Sequence, residues 1–184
     1  MTDSDATDAE PRWQLDLGRL ALGVTALTAP MCNTMAEAAA VCLEEQGHGV
    51  SVILTVKGIE DGKAIVSRPE VTPGMRRTYG KREEATELGA CALAFLLIRE
   101  LTPHCVIERS RRGTGFDYWL GQPDAEPFQH KARLEVSGIR AGDEQAIGRR
   151  VKEKLAQTRP TDGTFPAYVA VTEFSRPETR LVQK

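Results

Sequence analysis

The stretches "GTGFDYWLG" (residues 113–121) and "RLEVSGI" (residues 133–139) each read as a short strand with an acid at its middle, Asp117 in one and Glu135 in the other. Strand interiors disfavour both residue types. One reading is two solvent-facing positions on a half-exposed sheet. The other is a pair of carboxylates that converge. Side chains alternate along a strand, so Phe116, Tyr118 and Leu120 point one way and Asp117 and Trp119 the other. In the second stretch Leu134 and Val136 point one way; Arg133, Glu135, Ser137 and Ile139 point the other. If the strands are neighbours, the apolar sets share a core and Asp117 meets Glu135 on the opposite face. Two carboxylates on a rigid sheet suit a hard cation, Mg²⁺ or Mn²⁺, that keeps several waters. Such an ion activates water and offsets charge on a phosphodiester.

Other residues bear on the same chemistry. "RSRR" puts Arg109, Arg111 and Arg112 at a glycine-flanked turn, either as phosphate contacts from a hairpin tip or as a solvated turn. Lys131 lies four residues before Glu135, on the same alternation, and is a further candidate for nucleic-acid contact. Trp119 is either a base-stacking ring or a structural aromatic. His48, His104 and His130 are scattered without zinc spacing. No GxGxxG, P-loop or zincin-type helix is present. Ser137 has neither a partner His nor a GxSxG setting, which argues against a serine nucleophile.

The elements that must position these residues follow from pattern. Residues 81–101 predict a buried helix, charged in its first turn and apolar nearly all round in its second half. "CVIER" (105–109), "FDYWLG" (116–121) and "KARLEVSGI" (131–139) predict three strands. Residues 143–157 predict a helix capped by Asp143, with an Ile147, Val151, Leu155 stripe. "AYVAVTEF" (167–174) predicts a central strand. Upstream, 13–30 fits a strand or a short helix closed by Pro30. A helix capped by Asn33 or Thr34 and stopped by Gly47 follows, then a hairpin of strands about the turn "EDGK". Residues 70–80 predict a bare connection.

The order helix–strand–strand–strand–helix–strand, with Asp in the second strand and Glu in the third, resembles the restriction-endonuclease-like, PD-(D/E)XK nuclease superfamily. The resemblance covers about residues 81–175. It implies that Asp117 and Glu135 hold a metal and that an acid of the first helix, Glu84 or Glu87, assists. The family's Lys, two residues after the Glu, falls on Ser137, which cannot activate water as a Lys does. Lys131, Lys152 and Lys154 are the candidates for a base that has migrated.

The expected fold class is therefore α/β: a restriction-endonuclease-like αβββαβ core at 81–184 with a mixed central sheet flanked by helices. An N-terminal α/β extension at 12–80 packs on it, either completing the sheet or forming a dimer. An acidic disordered tail occupies 1–11. The resemblance implies a Mg²⁺-dependent nuclease acting on DNA or RNA. The alternative is a catalytically silent relative, a regulatory or immunity-type module with a protein or nucleic-acid partner. At 184 residues and net charge −2 the chain is not a strongly basic nucleic-acid binder. Its four cysteines lack CxxC spacing and suggest free thiols in a reducing compartment. No leader pattern is visible, and the longest apolar run, "CALAFLLI", is too short to span a bilayer. A cytoplasmic protein without membrane contact is the expectation.

Overall fold

Alternation of apolar and polar residues makes the first strand, β1 (Trp13–Asp16), which buries Trp13 and Leu15. The structure, a computed structural model, describes residues 10–159, 162–163 and 165–184. Most of the expected acidic tail lies outside them. The Asp16 carboxylate accepts from the Gly18 N–H at 2.9 Å and turns the chain into a short 3-10 turn, Leu17–Arg19. Helix α1 (Ala29–Glu45) begins before Asn33 and Thr34, the two expected caps. Pro30 sits in its first turn, where its missing N–H has no intrahelical partner to lose, so Pro30 opens this helix rather than closing the segment before it. Gly47 follows the helix end at φ +84°, a conformation that favours glycine. β2 (Ser51–Gly58) and β3 (Gly62–Ser67) form the hairpin. The expected bare connection contains a short helix, α2 (Pro73–Thr78), which the Thr72 hydroxyl caps by accepting from the Met75 N–H.

The next elements run in the predicted order: α3 (Arg82–Leu101), β4 (Cys105–Arg109), β5 (Tyr118–Gly121), β6 (Ala132–Ile139), α4 (Glu144–Gln157) and β7 (Ala167–Glu173). β5 starts two residues later than predicted, which leaves Asp117 at its mouth rather than at mid-strand. A further strand, β8 (Glu178–Gln183), was not predicted. It is the joint of the molecule. The sheet order is β1-β3-β2-β8-β7-β6-β5-β4. β8 pairs antiparallel with β7 and parallel with β2, so residues 12–80 contribute three strands to the same sheet. β6 and β7 are parallel, as a helical crossover through α4 requires.

The result is an α/β fold with a mixed eight-stranded sheet flanked by helices. α1 and α3 cover one face. Their core includes Leu43, Leu93, Phe95 and Leu97 against Leu54, Val66, Leu120, Leu134 and Tyr168 of the sheet. Two glycines permit this packing. A Cβ on Gly89 would meet the Ala39 Cα at 2.9 Å, and one on Gly138 would meet the Thr86 carbonyl oxygen at 2.4 Å. α4 covers part of the other face through a small cluster of Ile147, Val169 and Val171. Among the described residues no helix is long and apolar enough to cross a membrane. All four cysteines are free and buried.

Candidate active site

The site grows from the point where β5 leaves β6. β5 pairs antiparallel with β6, Tyr118 opposite Leu134 and Leu120 opposite Ala132. Asp117 extends the ladder by one backbone bond, its N–H donating to the Leu134 carbonyl at 2.9 Å. Its Oδ2 then accepts from the Val136 N–H at 2.9 Å. The side chain thus takes up a donor that the departing strand leaves behind. Asp117 itself is exposed.

β6 sorts its side chains as alternation predicts. Leu134 and Val136 enter the large core, while Arg133, Glu135 and Ser137 face the other way. All three are buried, at 2%, 5% and 4% exposure, so each needs a polar partner. α4 and the residue after it supply them. Arg150 donates to the Ser137 hydroxyl at 2.7 Å, Lys154 donates to Glu135 Oε1 at 2.6 Å, and Arg133 donates to the Thr158 carbonyl at 3.0 Å. The donors and acceptors match in register. Residues 150, 154 and 158 recur every four positions, about 6 Å along a helix. Residues 137, 135 and 133 recur every two, about 6.6 Å along a strand. An antiparallel helix over a strand can therefore meet it residue by residue.

Burial pushes the Glu135 carboxyl up to about 7. The neighbouring Asp117 charge and a hydrogen bond shared with it push the same way, against the lowering effect of Lys154. The two acids therefore converge as the sequence suggested. With Lys154 they line one cavity of about 540 Å³. Arg109, Arg111 and Arg112 of the β4–β5 connection complete its wall. Among the described residues none of these three guanidinium groups has an ion-pair partner. Gly113 (φ +91°) and Gly115 (φ +80°) supply the left-handed backbone that bends this hairpin over the cavity. Beneath it, burial pushes the Cys91 thiol up to about 12, which leaves no thiolate nucleophile.

The other expected residues are placed elsewhere. Ser137 anchors Arg150 and does not line this cavity. Glu87 lines a second cavity, with Arg82 and Arg150, although its charge acts on the same Cys91 thiol as that of Asp117, and Glu84 lines a third, beside Tyr79. Lys131 is exposed, precedes β6 and does not line the cavity. Lys152 is exposed on α4. The Trp119 face is covered by a parallel His130 ring, 3.9 Å between centroids. Of the three candidates for a migrated Lys, the structure brings only Lys154 to Glu135. Arg150 and Arg133 were not singled out as site residues. Their signal was the four-residue spacing of 150, 154 and 158 beside the apolar stripe.

The Val136 N–H occupies Asp117 Oδ2 and the Lys154 ammonium occupies Glu135 Oε1, and the two carboxyl groups share a further hydrogen bond. Two carboxylates plus waters is an ordinary Mg²⁺ donor set. Among the described residues no group of three or more His, Cys, Asp and Glu side chains is arranged to hold a metal. No protein-family model matches the chain, and no curated protein or solved structure matches it.

Proposed function

We propose that the chain is a Mg²⁺-dependent nuclease of the restriction-endonuclease-like type, hydrolysing phosphodiester bonds of DNA or RNA in the Asp117–Glu135 cavity. The observation that carries this reading is the Lys154–Glu135 contact beside Asp117. It places two acids and a lysine together although the strand position for the lysine holds serine. The element order from α3 to β7 supports the same reading. A divalent cation, when bound, lowers the pKa of a water and offsets charge on the phosphate. Asp117 and Glu135 would hold it. The Val136 N–H fixes the Asp117 carboxylate, and Lys154 fixes that of Glu135. The Lys154 ammonium has further N–H donors with which to orient a water for attack. Arg109, Arg111 and Arg112 supply charge for the phosphate oxygens.

A second reading, a nuclease-shaped binding module with a protein or nucleic-acid partner, is favoured by one observation: only two acids converge, and Lys154 already partners one of them. Cleavage separates the two. Plasmid, single-stranded DNA and RNA are incubated with the wild type, Asp117→Asn and Lys154→Met in Mg²⁺ or Mn²⁺. The nuclease reading expects cleavage by the wild type, none by Asp117→Asn, and a rate reduced about 100-fold in Lys154→Met. Absence of cleavage in all three, with every protein folded, leaves the binding module.

A further inference from the structure

The second cavity, about 490 Å³, lies along β6 from the first, beyond the Arg150–Ser137 contact. Arg82, Glu83 and Glu87 reach it from α3, Arg140 from the end of β6 and Arg150 from α4. Two of its cations are anchored, Arg150 on the Ser137 hydroxyl at 2.7 Å and Arg140 on Glu45 at 2.6 Å. Arg150 also has a long contact to the exposed Glu153, at 3.4 Å. Among the described residues Arg82, Glu83 and Glu87 have no ion-pair partner.

A cavity that shows both guanidinium donors and carboxylate acceptors opposes a bare anion and a bare cation alike. A nucleotide offers both kinds of group. Its phosphate oxygens accept from guanidinium, and its sugar hydroxyl or a base N–H, such as the ring N3–H of thymine or uracil, donates to carboxylate. The position fits as well. Arg150 and Lys154 are one helical turn apart and reach β6 residues two apart, a step of about 6 Å. That stride lets one extended strand set successive nucleotides over the two cavities. We propose that the second cavity is a nucleotide subsite, holding the nucleotide next to the scissile phosphate of a single-stranded chain. The inference rests on the nuclease reading of the first cavity.

The test is a length ladder of labelled oligo-dT and oligo-U, one to six nucleotides, titrated by anisotropy with Ca²⁺ in place of Mg²⁺. In the wild type, affinity rises by about tenfold at the length that first reaches the second cavity. Arg82→Met, an exposed position in the first turn of α3, abolishes that step, and Arg150→Met does the same. Each makes the salt dependence of binding shallower by about 0.7 in log–log slope, one lost phosphate contact on a single strand. A step in both ladders assigns the contact to groups common to DNA and RNA. A step in oligo-U alone assigns it to the 2′-hydroxyl on Glu83 or Glu87. Both results support the subsite. A smooth rise with length, or a step that survives both variants, overturns it while the nuclease reading stands on Mn²⁺ binding and cleavage. No binding at any length, with no Mn²⁺ bound, overturns both.

Discussion

On one face of β6, Leu134 and Val136 meet α3 and the large core. On the other face, the same strand presents Arg133, Glu135 and Ser137 to α4. The first face is held by dispersion and burial, each large side chain contributing about 1.5–3 kcal/mol. The second has a small apolar cluster, Ile147, Val169 and Val171, and a buried Phe116 edge-on to Trp119, and beside them it buries charge. Buried charge is poor glue, because desolvation offsets most of the Coulomb attraction. The two faces therefore have different tasks. One makes the sheet rigid, and the other uses that rigidity to hold two carboxyl groups together.

Substitutions on the two faces should differ in cost. Phe95→Ala, in the centre of the α3 face and edge-on to Tyr118, is expected to cost about 3–5 kcal/mol in urea unfolding. Ile147→Ala, under α4, should cost nearer about 2 kcal/mol, since a small cluster collapses more easily around the gap. Equal losses would mean that the α4 face carries as much of the stability as the core.

Glu135→Gln should have the opposite sign. The Glu135 carboxyl is raised to about 7 in the fold, so the folded state keeps a proton that the unfolded chain has released. Stability from that proton is present at low pH and is lost as pH rises from the ordinary carboxylate range through about 7. In metal-free buffer at pH 8 the Gln variant should be more stable than the wild type, and at pH 5 the difference should shrink. A variant less stable at pH 8 would show that the Lys154 pair outweighs burial and the Asp117 charge.

Much of this contrast was legible in the chain. Period-two alternation over 133–139 sorted core from site because the strand is regular and one face is strongly apolar. Asp143 and the Ile147, Val151, Leu155 stripe fixed α4 in the same way. Other features had no local signal. "ETRLVQ" is short and polar, and its role as the joint between the two halves comes from its neighbours β2 and β7. Pro30 was read as a stop although proline also begins helices. "VTPGM" carries a Thr-Pro helix start that its turn-like glycine obscured. Among three lysines the choice of Lys154 needed the helix to be laid over the strand. That Glu87 lines the second cavity rather than the first likewise appears only once α3 is packed.

A smaller effect is expected at the cavity mouth. Arg111→Ala, in the exposed hairpin, should leave stability within about 0.5 kcal/mol. It should also make the salt dependence of single-strand binding shallower by about 0.7 in slope. An unchanged slope in a binding-competent variant would make this hairpin a solvated turn.

The most direct test of the central claim is calorimetric Mn²⁺ titration of the wild type beside Asp117→Asn. The wild type should bind the ion, and Asp117→Asn should bind none while unfolding at the same urea concentration to within the fold's ordinary tolerance. A wild type that binds no Mn²⁺, or an Asp117→Asn variant that binds it equally well, would contradict the assignment of the Asp117–Glu135 pair as a metal-dependent catalytic centre.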